Sequence, residues 1–376
     1  METWSVHQLY ERSNRLLGAD VANRLLLYAE RLSNSNVPVI FTLRHLSKIV
    51  GCEFSFLSET VRRNREASNY KMFPVRKRSG QHRYVHAVSQ NLLGVQKFLN
   101  TEVLQHVPPH SASFAFHPSG GIRKCAARHC GAKWLFKFDL NDFFFSINEA
   151  DVFEVFVALG YRPLLSFELA RICTTTRLPV GAYSHLRPSG NLKESHPYWK
   201  ASLRLGVLPQ GAPTSPMLSN LIAKPLDVAL QSLAGKYGFV YTRYADDLAF
   251  SISKMPAGIS VSKFRQLVIA NIVAAGYSNN ESKARVLGPG ARKTVLGLLV
   301  DGHQPRISRQ TYARVDAILY AISKFGLAST VTHFGFDSEY GLHNHVGGLV
   351  AYVLDVDPLR GAQFMERYRA ISTSWR

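Results

Sequence analysis

The sequence is short of acid. Its 376 residues carry 26 Asp and Glu against 45 Lys and Arg, a formal charge of +19. A surplus of that size repels itself in a folded chain and persists where a polyanion neutralises it. Nucleic acid is the first candidate partner and an anionic membrane surface the second. Other absences narrow the choice. No uncharged apolar run approaches the roughly 20 residues that span a bilayer. The opening METWSVHQLYERSNRLL carries charge early and has no apolar signal core. A cytoplasmic protein with no membrane partner is expected. Only four cysteines are present, Cys52, Cys125, Cys130 and Cys173, and none forms a CxxC pair. Reduced thiols are the default for such a chain. The cluster Cys125-Ala-Ala-Arg-His129-Cys130 lacks zinc-ligand spacing and a second half, so ordinary packing is the better reading. There is no internal repeat and no low-complexity tract.

What is present fits a folded enzyme-sized core: 46% hydrophobic residues and 19% charged. Residues 1 to about 65 read as helical, with a second helix over 37–50. Residues 61–100 hold nine basic residues against one acid, Glu66. Within them YKMFPVRKRSGQHRYVHAV reads as two strands with a turn at Ser79-Gly80. A basic hairpin tip suits phosphate contact, and a merely solvated face is the bland alternative. WLFKFDLNDFFFSI (134–147) reads as a buried strand running into a helix or turn. A helix is expected over 151–172, a long polar insertion over 177–203, and a helix over 214–235. GFVYTRYADDLAFSIS (238–253) reads as a hairpin with Tyr244-Ala-Asp-Asp247 at its turn. A helix over 261–276, a hairpin over 294–309 turning near Asp301-Gly302, and a mostly helical 310–376 complete the chain.

Adjacent carboxylates at a hairpin tip between apolar strands are a costly arrangement, because like charges repel and burial disfavours ionisation. A divalent cation reverses that cost, and magnesium prefers such hard oxygen ligands. Two ions would need a third carboxylate. Asp139, at the end of the apolar strand, supplies it; on strand geometry alone Asp142 competes. Leu208-Pro-Gln-Gly-Ala-Pro-Thr-Ser-Pro216 is a rigid stretch before a helix. It could present Gln210 and backbone groups to a nucleotide, or be a plain structural turn.

FKFDLNDFFFSI, LPQGAPTSP and YADD, in that order, resemble the reverse transcriptases over roughly residues 60–310, with a looser extension to about 360. The resemblance implies an α+β right-hand polymerase fold: fingers, a palm with an antiparallel sheet, and a short helical thumb. It divides the chain into a helical extension (1–60), fingers (61–133), palm (134–293, with the 177–203 insertion) and a primer-grip hairpin with thumb (294–376). It implies RNA-directed DNA polymerase activity, with two Mg2+ held by Asp139, Asp246 and Asp247. Phe144 falls at the steric gate against ribonucleotides, with plain core as its alternative. Gln210, Arg83, Arg76 and Lys283 fall at the incoming nucleotide. Arg62, Arg63, Lys77, Arg78 and His129 are the candidate RNA contacts.

Within that family the chain is similar to retron reverse transcriptases. CysAlaAlaArgHis (125–129) stands near their NAxxH pattern with Cys125 in place of Asn. Val295-Leu296-Gly297 stands where they carry VTG, with Leu296 in place of Thr. The retron resemblance implies a noncoding RNA as template and primer, dNTP substrates and an RNA-linked single-stranded DNA product (msDNA). It also implies synthesis from a guanosine 2′-hydroxyl and antiphage defence with a separate effector protein. The alternatives are another bacterial defence or group II-like reverse transcriptase with different priming, and an RNA-binding scaffold without catalysis.

Overall fold

The computed structural model describes residues 5–76, 80, 82–179, 198 and 205–373. Lys77, Arg78 and most of the 177–203 insertion lie outside the described residues. Eight strands are described: β1 (Tyr70–Arg76), β2 (His82–Val88), β3 (Trp134–Asp139), β4 (Val240–Tyr244), β5 (Asp247–Ile252), β6 (Arg285–Leu287), β7 (Thr294–Val295) and β8 (Leu298–Leu299). β3 to β6 form one sheet in the order β4-β5-β3-β6, and every pairing in it is antiparallel. β1 and β2 form a separate antiparallel hairpin.

The central sheet is covered on both faces, which explains why β3 reads as a continuous apolar run instead of alternating. Phe136 and Phe138 point into a large core shared with the N-terminal helices and helices Glu149–Ala158 and Val261–Ala274. Leu135 and, on β5, Ala249 point into a second core. That core is built from the C-terminal helices Arg309–Phe334, Glu339–Val356 and Pro358–Thr373. In the middle one, Leu342, Val346, Val350 and Val353 recur at the three-to-four spacing that gives a helix one apolar stripe. Among the described residues no helix is long and apolar enough to cross a membrane.

Local chemistry moves several expected boundaries. Only Leu43–Ile49 of 37–50 is helical, capped by the Thr42 side chain accepting from the His45 amide at 3.1 Å. Pro38 disfavours helical backbone at Val37, the residue before it. The expected helix over 151–172 is two, Glu149–Ala158 and Pro163–Cys173. Gly160, at φ 101°, ends the first and Pro163 opens the second. The tight turn of the 294–309 segment lies at Leu296-Gly297, with φ 50° and 84°, and not at Asp301-Gly302. Two successive positive φ values match the twist of a two-residue hairpin. Asp301-Gly302 sits in a second reversal, closed by pairing of Leu299 with Arg306.

One buried ion pair joins four segments beside the sheet. Arg243 on β4 and Asp227 on helix Lys224–Tyr237 are both 0% exposed. Nε and Nη2 of Arg243 donate to the two Asp227 oxygens at 2.8 and 2.7 Å, and the Tyr241 hydroxyl donates to the same carboxylate at 2.9 Å. Nη1 reaches Asn220 Oδ1 at 3.0 Å and the Ala245 carbonyl at 3.3 Å. Asn220 in turn accepts from Ser113 and donates to the Ala115 carbonyl. Removing one partner strands a buried charge. Asp227→Ala is expected to cost about 3–5 kcal/mol in urea unfolding. Arg243→Met with Asp227→Leu is expected to recover most of that loss. A single-variant cost below about 1 kcal/mol would show that the pair does not organise the fold.

Candidate active site

The three aspartates are brought together by strand register. Asp139 ends β3 and lies opposite Asp247, the first residue of β5. Asp247 also pairs with Tyr244, which leaves Ala245 and Asp246 as the two-residue turn between β4 and β5. Ala245 takes φ 55°, a left-handed conformation usually left to glycine and costing about 1–3 kcal/mol. The Leu140 amide donates to the Asp246 carbonyl at 3.0 Å and ties the turn to the end of β3. Asp142, the geometric rival of Asp139, is exposed in the following turn at φ 44° and has no part in the sheet.

Burial raises the Asp246 pKa first, and the Asp139 charge adds to it; Lys283 and Arg83 offset part of the rise. Burial, then the Asp246 charge, push Asp247 up to about 6. The site is therefore a place where negative charge is expensive. Asp139 is 6% exposed. Its carboxylate accepts from Lys283 Nζ at 2.9 and 2.8 Å and from Asn280 Nδ2 at 3.2 Å. Burial disfavours the Lys283 charge, but the bond to Asp139 and the three carboxylates outweigh it and raise its pKa. Among the described residues no three His, Cys, Asp or Glu side chains form a ready-made coordination shell. The donor set still suits a hard divalent cation: three carboxylates, two of them with disfavoured charge, and a mobile ammonium as the present counter-ion of the third. An ion held by Asp139 would displace Lys283, whose side chain is 54% exposed and free to swing.

Of the other nucleotide candidates, Arg83 acts on this point directly. Arg83 is exposed on β2, opposite Val75, and near enough to Asp246 to act on its charge. Arg76 is exposed at the end of β1. The Gln210 carbonyl accepts from the His86 amide at 2.7 Å, which docks the LPQGAP loop on β2. The contact requires Gly211, at φ 115°, because a Cβ there would lie 2.6 Å from the His86 carbonyl. Phe144 is half-buried, with its ring 5.7 Å from Phe143 and 6.2 Å from Phe116. Phe116 continues this aromatic wall to Tyr244 at 6.4 Å.

Two expected RNA contacts are corrected. Arg63 is internal, its side chain 10% exposed. It bonds Glu66 at 2.8 Å, Glu149 at 2.5 Å and the carbonyls of Arg171 and Thr174. His129 is 1% exposed, with one ring nitrogen 2.7 Å from Ser251 Oγ on β5 and the other 2.7 Å from Thr242 Oγ1 on β4. Burial lowers its pKa to about 4, so it is a neutral brace between strands. Arg62 is exposed at 68% and pairs loosely with Glu59. The cysteines are all free, and Cys125 packs with its thiol on Thr242. Sequence reasoning passed over Arg243, Asp227 and Glu149. Asp227 stands in an apolar helical run, whereas Arg243 follows Thr242 and Glu149 lies between Asn148 and Asp151, so only the first carries a local signal.

Asp247 sets a pH dependence whose sign follows from its raised value. Below about pH 3 it is protonated whether folded or unfolded and contributes nothing. Stability is lost as pH rises from about 4 to 6, and the penalty is complete above that. In unfolding measured with divalent cations chelated, Asp247→Asn is expected to stabilise by about 1–2 kcal/mol at pH 7.5 and hardly at all at pH 3. An equal gain at both pH values would remove the charge-burial account.

The chain matches the reverse transcriptase (RNA-dependent DNA polymerase) family over residues 75–300. It is 30% identical to the retron Ec86 reverse transcriptase of Escherichia coli over 329 residues, 87% of this chain and 88% of that one. It is 30% identical to the retron Mx65 reverse transcriptase of Myxococcus xanthus over 380 residues, 99% of this chain and 82% of that one. A foamy viral protease-reverse transcriptase in complex with double-stranded DNA aligns at a TM-score of 0.41 and 17% identity, over 81% of this chain and 39% of that one. The fold is the α+β right hand of the polymerases, with the β4-β5-β3-β6 sheet as its palm. The chain belongs to the retron reverse transcriptases and is an RNA-directed DNA polymerase.

Proposed function

We propose that this polymerase copies a structured noncoding RNA into single-stranded DNA that stays joined to the RNA, using two magnesium ions at Asp139, Asp246 and Asp247. The observation that carries the reading is the register of β3 against β5. It sets Asp139 opposite Asp247 with Asp246 at the adjoining turn, where negative charge calls for a cation. When bound, the ions supply charge stabilisation to the attacking and leaving oxygens of phosphoryl transfer.

The chain's own groups do the positioning. An RNA hydroxyl, taken as a guanosine 2′-hydroxyl at the first step, attacks the α-phosphorus of a dNTP. Its proton passes to solvent, and pyrophosphate leaves. Arg83 and Arg76 face the triphosphate from the hairpin, and Lys283 offers its ammonium to the departing pyrophosphate. Gln210 flanks the sugar and base. Phe144 blocks a 2′-hydroxyl on the incoming nucleotide. Arg62, together with Lys77 and Arg78 outside the described residues, grips phosphates. The units 1–60, 61–133, 134–293 and 294–376 serve as extension, fingers, palm and thumb. Released or retained msDNA then acts with a separate effector protein in antiphage defence.

Asp246→Ala with Asp247→Ala is expected to abolish dNTP incorporation on a primed RNA template while RNA affinity stays within about threefold. Wild-type incorporation by that variant would end the carboxylate reading. Phe144→Ala is expected to raise ribonucleotide incorporation relative to deoxyribonucleotide by at least about tenfold, the scale of one lost steric or polar discrimination. Unchanged sugar selectivity, read from paired kcat/KM values, would return Phe144 to the core.

A further inference from the structure

A cleft of about 710 Å³ opens beside the catalytic turn and takes no part in the chemistry above. Its walls include Phe114, Phe116 and Tyr244, with Asn100, Thr101 and Gln105 on the far side. None of the residues lining it is a Lys, Arg, Asp or Glu. In a chain of net charge +19, that is a surface made for something other than phosphate.

A set of linked features sets its walls apart. Asn100 Oδ1 and Gln105 Oε1 are buried without a hydrogen-bond donor, and such acceptors are costly unless something satisfies them. Asn100 and Thr101 sit on a π-helical turn, Leu99–Val103, a rare conformation concentrated at functional sites. Phe116 holds φ 67°, strained for an aromatic residue, and Gln105 Nε2 donates to its carbonyl at 3.1 Å. Gly120 keeps the segment folded tightly, since a Cβ there would meet the Phe114 carbonyl oxygen at 2.2 Å.

Aromatic faces edged by amides and His117, with no Lys, Arg, Asp or Glu, suit a flat, apolar-faced group with polar edges. A nucleobase with an exocyclic amino group has that chemistry. The volume admits a base with its ribose while the phosphates stay outside. We infer that this cleft holds one unstacked base of the RNA, next to Tyr244 and outside the incoming-nucleotide position. The inference rests on the reading that RNA is the substrate. It adds that the enzyme recognises an unpaired nucleotide close to its active carboxylates.

The test uses the full chain and an RNA duplex bearing one unpaired 2-aminopurine, compared with its fully paired counterpart. Wild type is expected to bind the bulged duplex roughly five- to a hundredfold more tightly, the range expected for one stacked base, with a change in 2-aminopurine fluorescence. Thr101→Trp fills the cleft from its exposed rim, and Asn100→Leu removes one acceptor. Both are expected to lose most of that preference while extending a fully paired primer–template within about twofold of wild type. Equal affinity of wild type for the two duplexes would overturn the inference, and so would an intact preference in both variants. The preference is read by binding alone. Failure of wild type to extend any primed RNA would count against the polymerase reading and leave this one to stand or fall on its own data.

Discussion

The carboxylates repel one another, and something must hold the turn that carries them. The Arg243–Asp227 pair does so. Arg243 stands two residues before Ala245 and three before Asp246, and its guanidinium reaches the Ala245 carbonyl. Its other donors are committed to a carboxylate on a neighbouring helix and to Asn220. Charge-assisted bonds of this kind are worth roughly 1.5–3 kcal/mol each when satisfied. That is comparable with the strain at Ala245 and the penalty carried by Asp247. The backbone of Arg243 does the same job, accepting from Phe114 and donating to Ala112. The segment around Ala112–Phe114 and β4 thus meet at one residue whose displacement would move the turn that carries Asp246.

His129 completes this support from the opposite face. It bridges Thr242 and Ser251, which lie on the paired strands β4 and β5. A protonated imidazole there would have to donate twice and carry charge into an apolar layer, which its lowered pKa reflects. The β4-β5 hairpin is therefore clamped by a charged pair on one side and a neutral histidine on the other. The two differ in kind because the Arg243 side offers a carboxylate and the His129 side offers only hydroxyls and a thiol.

The fold class came from resemblance, while the strand before Asp139 and the turn that carries Asp246 and Asp247 were legible because they rest on local signals. Apolar runs, a two-residue turn and adjacent carboxylates need no knowledge of distant contacts. The choice of Asp139 over Asp142 came from resemblance, and the register of β3 with β5 gives its physical reason. Burial was not legible. Arg62 and Arg63 are neighbours of the same type, yet one is 68% exposed and the other 10%. The difference comes from Glu149, eighty-six positions away, which no local pattern reveals. His129 misled for the same reason: its partners are on strands more than a hundred residues later. Helix ends shifted wherever a proline or a positive-φ glycine interrupted the periodicity, as at Gly160 and Pro163.

The two cores give this arrangement a mechanical consequence. Leu135 and Ala249 are sheet residues that pack with the C-terminal helices, while their strand neighbours Phe136 and Phe250 pack with the N-terminal side. A protein interior is close-packed and transmits small shifts instead of absorbing them. A movement of the C-terminal helices therefore bears directly on β3 and β5, the strands that end in Asp139 and begin with Asp247. Lys283 sits at the other end of that path, held to Asp139 by a salt bridge with an exposed stem. Any group that drew Lys283 away and any shift of the C-terminal helices would both act on Asp139, through one carboxylate and the sheet that carries it.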